Sequence, residues 1–368
     1  MGGSTGRDPA LEDPRIRYVP IDDRVDRYAD RAVGVVTSSA ARRHEYHRQT
    51  YHLAYLLRAA RAVRGNDIVV VHEFPQWIPW LRRIVPGARI VLWGGADSFI
   101  EVDHLLPDVR AADALVGASG SIVERFCARV PELAPASYTV YSGVDTDRFV
   151  PAPERVVGDR IVYAGRVTPE KGVHVLVDAF RMLADHRPDL ELVLAGPRWV
   201  TSPSMLQGTP PEHVAEVVEL ATGDYATELE RRAGPHRDRV RFTGGLPGAE
   251  LIELMQTATV FCHPGLVEEG FGTVVAEALA CGTPVVISDR GGPPEYVVDP
   301  DCGHVVPSGD AEALATALAS IVDHPQRRPE LAARAREVAC ATLSVDRSAE
   351  ALAEVLDAVR RPEARPDG

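Results

Sequence analysis

Glu269 and Glu277 stand eight positions apart, and the stretch Gly270-Phe271-Gly272-Thr273 follows the first of them. The glycines permit tight turning and expose backbone N–H groups just where the apolar pattern of a helix begins, which suits a negatively charged diphosphate. Glu269 falls in the loop and Glu277 on the helix, so each can serve a different part of one ligand. A carboxylate that accepts from vicinal hydroxyls is what ribose recognition requires. The plainer alternative is two solvent-facing acids at a helix start, worth about 0.3–1 kcal/mol against the dipole. A second group lies in AGRVTPEKG, residues 164 to 172, which follows a strand pattern and opens a helix. Arg166 and Lys171 project there from the carboxyl end of a strand, the edge where open α/β sheets bind ligands. Two fixed cations can neutralise a leaving diphosphate, each charge-assisted hydrogen bond contributing about 1.5–3 kcal/mol. Taken singly, either cation reads as a surface residue. Their significance comes from sharing a domain with the acid pair.

The elements that must position these groups are legible as short β-branched runs alternating with helical patterns. IVVVHE (68 to 73), RIVLWG (89 to 94), ALVGAS (114 to 119) and YTVYSG (138 to 143) read as buried strands of a parallel sheet covered on both faces. PAPERVVGDR, after Val150, reads as an interdomain linker. The series restarts with IVYAGR (161 to 166), LELVLAG (190 to 196), VRFTG (240 to 244), TVFCHP (259 to 264), PVVISD (284 to 289) and GHVVP (303 to 307). Helices are expected at 172 to 185, 249 to 256 and 271 to 280, with a closing helix from Ser344 to Arg361. The segment 197 to 224, rich in Pro, Ser, Thr and Gly, reads as a lid or an insertion. A chain of 368 residues exceeds what one core usually organises. The expected class is α/β, with two doubly wound Rossmann-like domains: 1 to 150, apparently shortened, and 151 to 343, followed by a terminal helix and tail at 344 to 368.

The pair GR(x4)KG and E(x7)E, followed by EALACGTPVV and GGPPE, resembles family 4 of the retaining glycosyltransferases, which have the GT-B fold. The likeness runs from about Ile68 to Ala335. VYSGVDTDRF (140 to 149) resembles that family's interdomain signature, and VHEFPQWIPWLRR (71 to 83) is similar to spore-coat-type members. The resemblance implies transfer of a hexose from a nucleoside diphosphate sugar, UDP favoured, to a hydroxyl acceptor with retained configuration. It assigns Arg166 and Lys171 to the diphosphate and Glu277 to the ribose. Glu269, with the amides of Phe271, Gly272 and Thr273, would meet the donor sugar, and Gly245 and Leu246 the base. The main demand is then stabilisation of the negative charge growing on the leaving group. No protein nucleophile is required, because the departing phosphate oxygen can take the acceptor's proton.

Family members begin with a strand, a glycine-rich loop and a helix, whereas DPRIRYVPI (13 to 21) resembles material from well inside the first domain. The expectation is either an upstream start or a reduced acceptor site. At VLWGGADSF (91 to 99) the family carries a histidine near the reacting sugar, where this chain offers Gly95, with Asp97 or Trp93 as candidates for that space. Asp145, Thr146 and Asp147 spell DxD, but inside the interdomain signature, so a metal-free mechanism without cofactor is expected. His44, His47 and His52 are spaced HExH and not HExxH, which reads as an exposed helix face. His263 precedes the acidic motif and can face the donor, although a strand-end histidine is more often a satisfied structural one, while His72 ends a strand facing the cleft.

A formal charge of -13 opposes a wide grip on nucleic acid. The five scattered cysteines, never in CxxC spacing, read as reduced thiols of a cytoplasmic protein. No apolar leader and no run of about 18 apolar residues occurs, which leaves only peripheral membrane contact open. GxGxxG and GxxxxGK[ST] are both absent. A nucleotide-sugar-binding protein without catalysis, and a sugar-nucleotide epimerase or phosphorylase of the same fold, remain alternatives.

Overall fold

A computed structural model describes residues 63–360 apart from 96–99, 101, 157 and 199–208. DPRIRYVPI, the three histidines of HEYHRQTYH and Asp97 therefore lie outside the described residues.

The first series runs β1 (Ile68–His72), α1 (Ile78–Ile84), β2 (Arg89–Gly94), α2 (Leu106–Arg110), β3 (Ala114–Gly117), α3 (Gly120–Arg129) and β4 (Ser137–Thr139). These strands form a parallel sheet in the order β1-β2-β3-β4. The second runs β5 (Asp159–Ala164), α4 (Val173–Ala184), β6 (Leu190–Ala195), α5 (Pro211–Thr222), α6 (Tyr225–Ala233), β7 (Val240–Gly244), α7 (Gly248–Gln256), β8 (Val260–His263), α8 (Thr273–Ala280), β9 (Val285–Ser288) and β10 (Gly303–Val306). Then follow α9 (Ala311–Val322), α10 (Arg328–Thr342) and α11 (Val345–Arg360). The second sheet is also parallel, ordered β10-β9-β8-β5-β6-β7.

Side chains alternate across a strand, and in the second sheet both faces are covered. Val162, Ala164, Val193, Phe261 and Ile287 enter one apolar cluster, while Ile161, Tyr163, Leu192, Cys262 and Val286 enter the other. That is why these strands read as unbroken apolar runs and not as alternating ones. In the first sheet, Val69, Val71, Ile90, Leu92 and Leu115 belong to the same cluster as Val162 and Phe261, so this core is continuous between the sheets. The opposite face, with Val91, Ala114, Val116 and Val140, meets Leu352, Val355, Leu356 and Val359 of α11. Their spacing of three, four and seven positions is one helix stripe. The terminal helix thus returns to cover the first sheet, steered by Val144, whose N–H and carbonyl pair with Leu343 O and Val345 N at 2.7 and 3.0 Å.

The segment 197 to 224 differs from its expected loop character. Residues 211–222 form α5, which runs directly towards α6 and buries Val217 and Leu220. Pro211 supplies a favourable first helical position there. α8 begins at Thr273, two residues later than expected, because Gly272 has left-handed φ, ψ values of 76° and 54°. None of the described helices is long and apolar enough to cross a membrane.

Candidate active site

After β5 the chain passes through Gly165–Thr168 into a single 3-10 turn, Pro169–Lys171. The Tyr163 hydroxyl donates to the Arg166 carbonyl at 2.6 Å and fastens this turn from within. Burial keeps that hydroxyl well above its ordinary pKa, so it remains a donor. Glu170, only 1% exposed, accepts from Thr168 Oγ1 at 2.8 Å, and Arg166 Nη2 lies 3.8 Å from the same oxygen. Its backbone carbonyl accepts from Leu266 N–H at 3.0 Å, which ties the turn to the loop after β8. The two loops touch at Gly172, where φ is 68° and a Cβ would overlap the Pro264 carbonyl. Both conditions select glycine.

This approach brings Lys171 Nζ to 2.5 Å from Glu269 Oε2. His263, 4% exposed at the end of β8, places Nε2 at 3.4 Å from the same oxygen, and its buried Nδ1 has no hydrogen-bond partner among the described residues. It therefore faces the acid, which differs from the satisfied structural histidine expected. Burial pushes the Glu269 carboxyl up, but the His263 ring and the Lys171 ammonium outweigh it and hold the group well below the usual carboxylate range. The pair sits between β5 and β8, where the sheet order reverses. Open α/β sheets form their ligand crevice at such a reversal, outside the carboxyl ends of the strands.

Glu277 lies one turn into α8, its carboxyl pushed up to about 7 by burial against the pull of Arg148. The Arg148 guanidinium also lies against Gly248, at the start of α7. Gly245 and Leu246 follow β7, two strands out from β5, and Leu246 packs half-buried on the core. The Gly196 N–H donates to Gly244 O at 2.8 Å and joins the ends of β6 and β7. Phe271 is 4% exposed, its ring 5.9 and 5.7 Å from those of Tyr141 and Tyr296. Tyr296 OH donates to its carbonyl at 2.7 Å. Only the backbone of Phe271 can therefore serve a ligand. No side chain caps α8, so its first turn, beginning at Thr273, keeps an amide-rich end.

The first sheet closes on this site through two contacts that sequence reading did not find. The Glu295 carboxylate, in GGPPE, accepts from Gly120 N–H at 2.9 Å, Ser121 N–H at 2.7 Å and Tyr141 OH at 3.1 Å. It thereby caps α3 from across the seam. The Gly95 carbonyl rests against Gly270, leaving no room for a Cβ there. Gly95 N–H in turn donates to Glu73 Oε1, and His72 Nε2 lies 3.5 Å from where a Gly95 Cβ would stand. Among the described residues, Glu73 and His72 line the space beside Gly95. Trp93, one of the residues expected there, packs in the cluster beneath α11, its ring 6.1 Å from that of His72.

Glu170, Arg148, Glu295 and Glu73 were not singled out in the sequence. Glu170 and Arg148 stand inside motifs already quoted, where a charged residue beside a recognised one was the available signal. In the DxD stretch, Asp145 Oδ1 accepts from the N–H groups of Asp147 and Arg148 at 3.1 and 3.0 Å, a turn-forming use. Among the described residues no group of three or more His, Cys, Asp or Glu is placed to hold a metal ion.

The sequence pattern described as "Glycosyl transferases group 1" matches residues 152–338. The chain is 33% identical over 306 residues to alpha-maltose-1-phosphate synthase of Mycolicibacterium smegmatis, covering 78% of this chain and 70% of that protein. It is 32% identical over 249 residues to a GDP-mannose-dependent alpha-(1-6)-phosphatidylinositol monomannoside mannosyltransferase of the same organism, covering 61% of this chain and 58% of that one. Against several relatives the chain spans less than two thirds of their length, down to 45%. In three dimensions it is similar to Anabaena Alr3699/HepE, solved in complex with UDP, with a TM-score of 0.67, 19% identity and coverage of 83% of this chain and 82% of that one.

Proposed function

The chain belongs to the glycosyl transferases group 1 family, and from that premise we propose that it moves a hexose from a nucleoside diphosphate sugar to a hydroxyl acceptor with retained configuration. UDP is the favoured nucleotide, in keeping with the UDP complex of the structural neighbour. Residues 151–343 form the donor-binding unit. Residues 1–150 form the acceptor side, and 344–368 are the terminal helix and tail.

The observation that carries this reading is the Lys171–Glu269 pair at the sheet reversal. Without ligand, the ammonium and carboxylate neutralise each other. When a diphosphate enters, Lys171 turns to the phosphate oxygens and Arg166 joins it, while Glu269 keeps the His263 ring at 3.4 Å. Glu269, held ionised, is an acceptor-only group and takes hydroxyls of the donor sugar, together with the amides of Phe271, Gly272 and Thr273. Glu277 takes the ribose hydroxyls, and Gly245 and Leu246 border the base. As the anomeric bond breaks, charge grows on the diphosphate, where the two cations and the end of α8 stabilise it. The cysteines Cys127, Cys262, Cys281, Cys302 and Cys340, all free thiols, fit a cytoplasmic site of action.

Release of nucleoside diphosphate from UDP-glucose and GDP-mannose tests the reading. Lys171→Ala should lower donor turnover by about 10²–10³-fold and Glu277→Ala should also impair it, while the far-UV circular dichroism stays native. Turnover by both variants at the wild-type rate would overturn the site assignment.

A further inference from the structure

Neither nitrogen of the His263 ring has a hydrogen-bond partner among the described residues, although the residue is only 4% exposed. A buried polar group left in that state is costly, and an apolar side chain of similar size would fill the same space without the cost. What the ring does have is the Glu269 carboxylate, whose Oε2 stands 3.4 Å from Nε2. Strand register fixes its place. His263 is the last residue of β8, opposite Ile287 of β9, and the loop that carries Glu269 passes close to it, so that a Cβ on Gly265 would lie 3.6 Å from Nε2. Glu269 is held at both ends. The Gly292 N–H donates to its carbonyl at 2.8 Å, and a Cβ on Gly291 would overlap that carbonyl. Its carboxylate meets the Lys171 ammonium at 2.5 Å and the His263 ring. On the glycosyl-transfer reading the ammonium is drawn to the diphosphate, leaving the ring beside a carboxylate that burial pushes towards its neutral form.

We propose that His263 is a positioning residue, whose Nε2–H holds the Glu269 carboxylate in place to accept from hydroxyls of the donor sugar once Lys171 has turned to the diphosphate. The proposal rests on the glycosyl-transfer reading and adds to it the group that orients the sugar-binding acid. His263 touches no substrate atom and exchanges no proton. A neutral imidazole with its proton on Nε2 suffices, since that nitrogen then donates to one carboxylate oxygen and leaves the other to the sugar. A small turn of either side chain brings the donor to ordinary hydrogen-bond length. Hydrogen bonds of this kind are often long in the free enzyme and tighten in the complex. Holding a reactant in its productive pose is a recognised source of rate, and the pose of the sugar is set by the acid that binds it.

Three variants separate this role from a structural one. His263→Gln keeps an N–H that reaches Glu269, His263→Asn carries the same amide but is too short to place it where Nε2 stands, and His263→Met fills the volume with an adaptable apolar chain. Wild type and variants are assayed for release of nucleoside diphosphate from UDP-glucose and GDP-mannose, and UDP and GDP affinities are measured by calorimetry. The expected result is a fall in kcat of about 10²-fold for Met and Asn and of no more than about threefold for Gln, with nucleoside diphosphate affinity within about twofold of wild type throughout. Either deficient variant suffices if circular dichroism shows the other misfolded. Wild-type kcat in a folded Met or Asn variant overturns the role of His263, and so does a Gln variant no more active than Asn. A loss of nucleoside diphosphate affinity in step with kcat also overturns it, because the ring would then support the whole site and not the sugar-binding acid. If wild type releases nucleoside diphosphate from neither donor, the glycosyl-transfer reading fails, and this inference with it.

Discussion

The carboxyl edges of the two sheets face one seam and are built differently. On the second sheet, charge is concentrated and internally paired: Lys171 on Glu269, Arg166 beside Glu170, and His263 behind the acid. On the first, the edge near the seam is shaped by backbone: a left-handed Glu73, a Gly95 pressed against Gly270, and the start of α3 capped by Glu295 from the other side. On the proposed reading, a diphosphate demands fixed charges, and these would come from compact motifs at one sheet reversal. A hydroxyl acceptor would demand orientation, which contacts between distant segments can supply. The proposed donor half should then respond to loss of charge and the proposed acceptor half to loss of geometry.

The strongest way to break the contrast is Lys171→Ala. Removing the ammonium should lower donor turnover by about 10²–10³-fold, as does loss of one transition-state donor elsewhere. It should also leave Glu269 without its main cation and destabilise the fold by about 1–3 kcal/mol. A double-mutant cycle with Glu269→Gln, read by chemical denaturation, checks the coupling: additive losses would mean the pair is not an energetic unit.

Glu277→Gln should weaken donor binding about tenfold at pH 8 by calorimetry. Wild-type affinity should itself decline as pH drops below about 7, where the carboxyl gains its proton. Stability runs the other way. The folded value of about 7 lies above the ordinary 4.5, so the folded state binds the extra proton between them, and stability falls as pH rises through that window. The Gln variant should therefore be more stable than wild type by about 1–2 kcal/mol above pH 7 and equal to it near pH 4. A flat difference between the two across pH would refute the burial of Glu277.

Glu295→Ala probes the seam. Losing the cap of α3 should cost about 1–2 kcal/mol in thermal or urea unfolding, with acceptor KM raised and donor binding by the isolated nucleotide unchanged. Equal loss of nucleotide affinity would erase the proposed division of labour. The smallest effect is expected at His174, in the first turn of α4, whose Nδ1 lies 3.0 Å from Tyr225 OH. Burial holds it down to about 4 from an ordinary 6.5, so the stability it contributes is complete above about 6.5 and lost as pH falls towards 4. His174→Gln should flatten that acid limb and leave donor turnover untouched.

Much of the strand pattern of both sheets is legible in the chain. RIVLWG matches β2 residue for residue, because a strand buried on both faces needs an apolar run and little else, while VRFTG matches β7, an edge strand in which only Val240 is buried. The acid and cation motifs read clearly because glycine, charge and strand end coincide within a few residues. α5 escaped notice because Pro210 and Pro211 open a helix as readily as a loop. Glu295 could be quoted but not explained, since its partners Gly120 and Ser121 lie about 175 positions away in sequence. Glu73 stands inside VHEFPQWIPWLRR, but its conformation could not be read there: a positive φ on glutamate is imposed by packing and not by the residue's own preference.

By itself the sequence determined the α/β class, the alternation of strands and helices, and the residue types that can hold a diphosphate, because each depends on local periodicity and side-chain chemistry. Only the tertiary structure decided that Lys171 meets Glu269, that α11 returns to the first sheet, and that Glu73 reaches the donor loop through Gly95. Those outcomes depend on which distant surfaces exclude water together, and burial of that kind is a property of the whole fold, carried by no single stretch of chain.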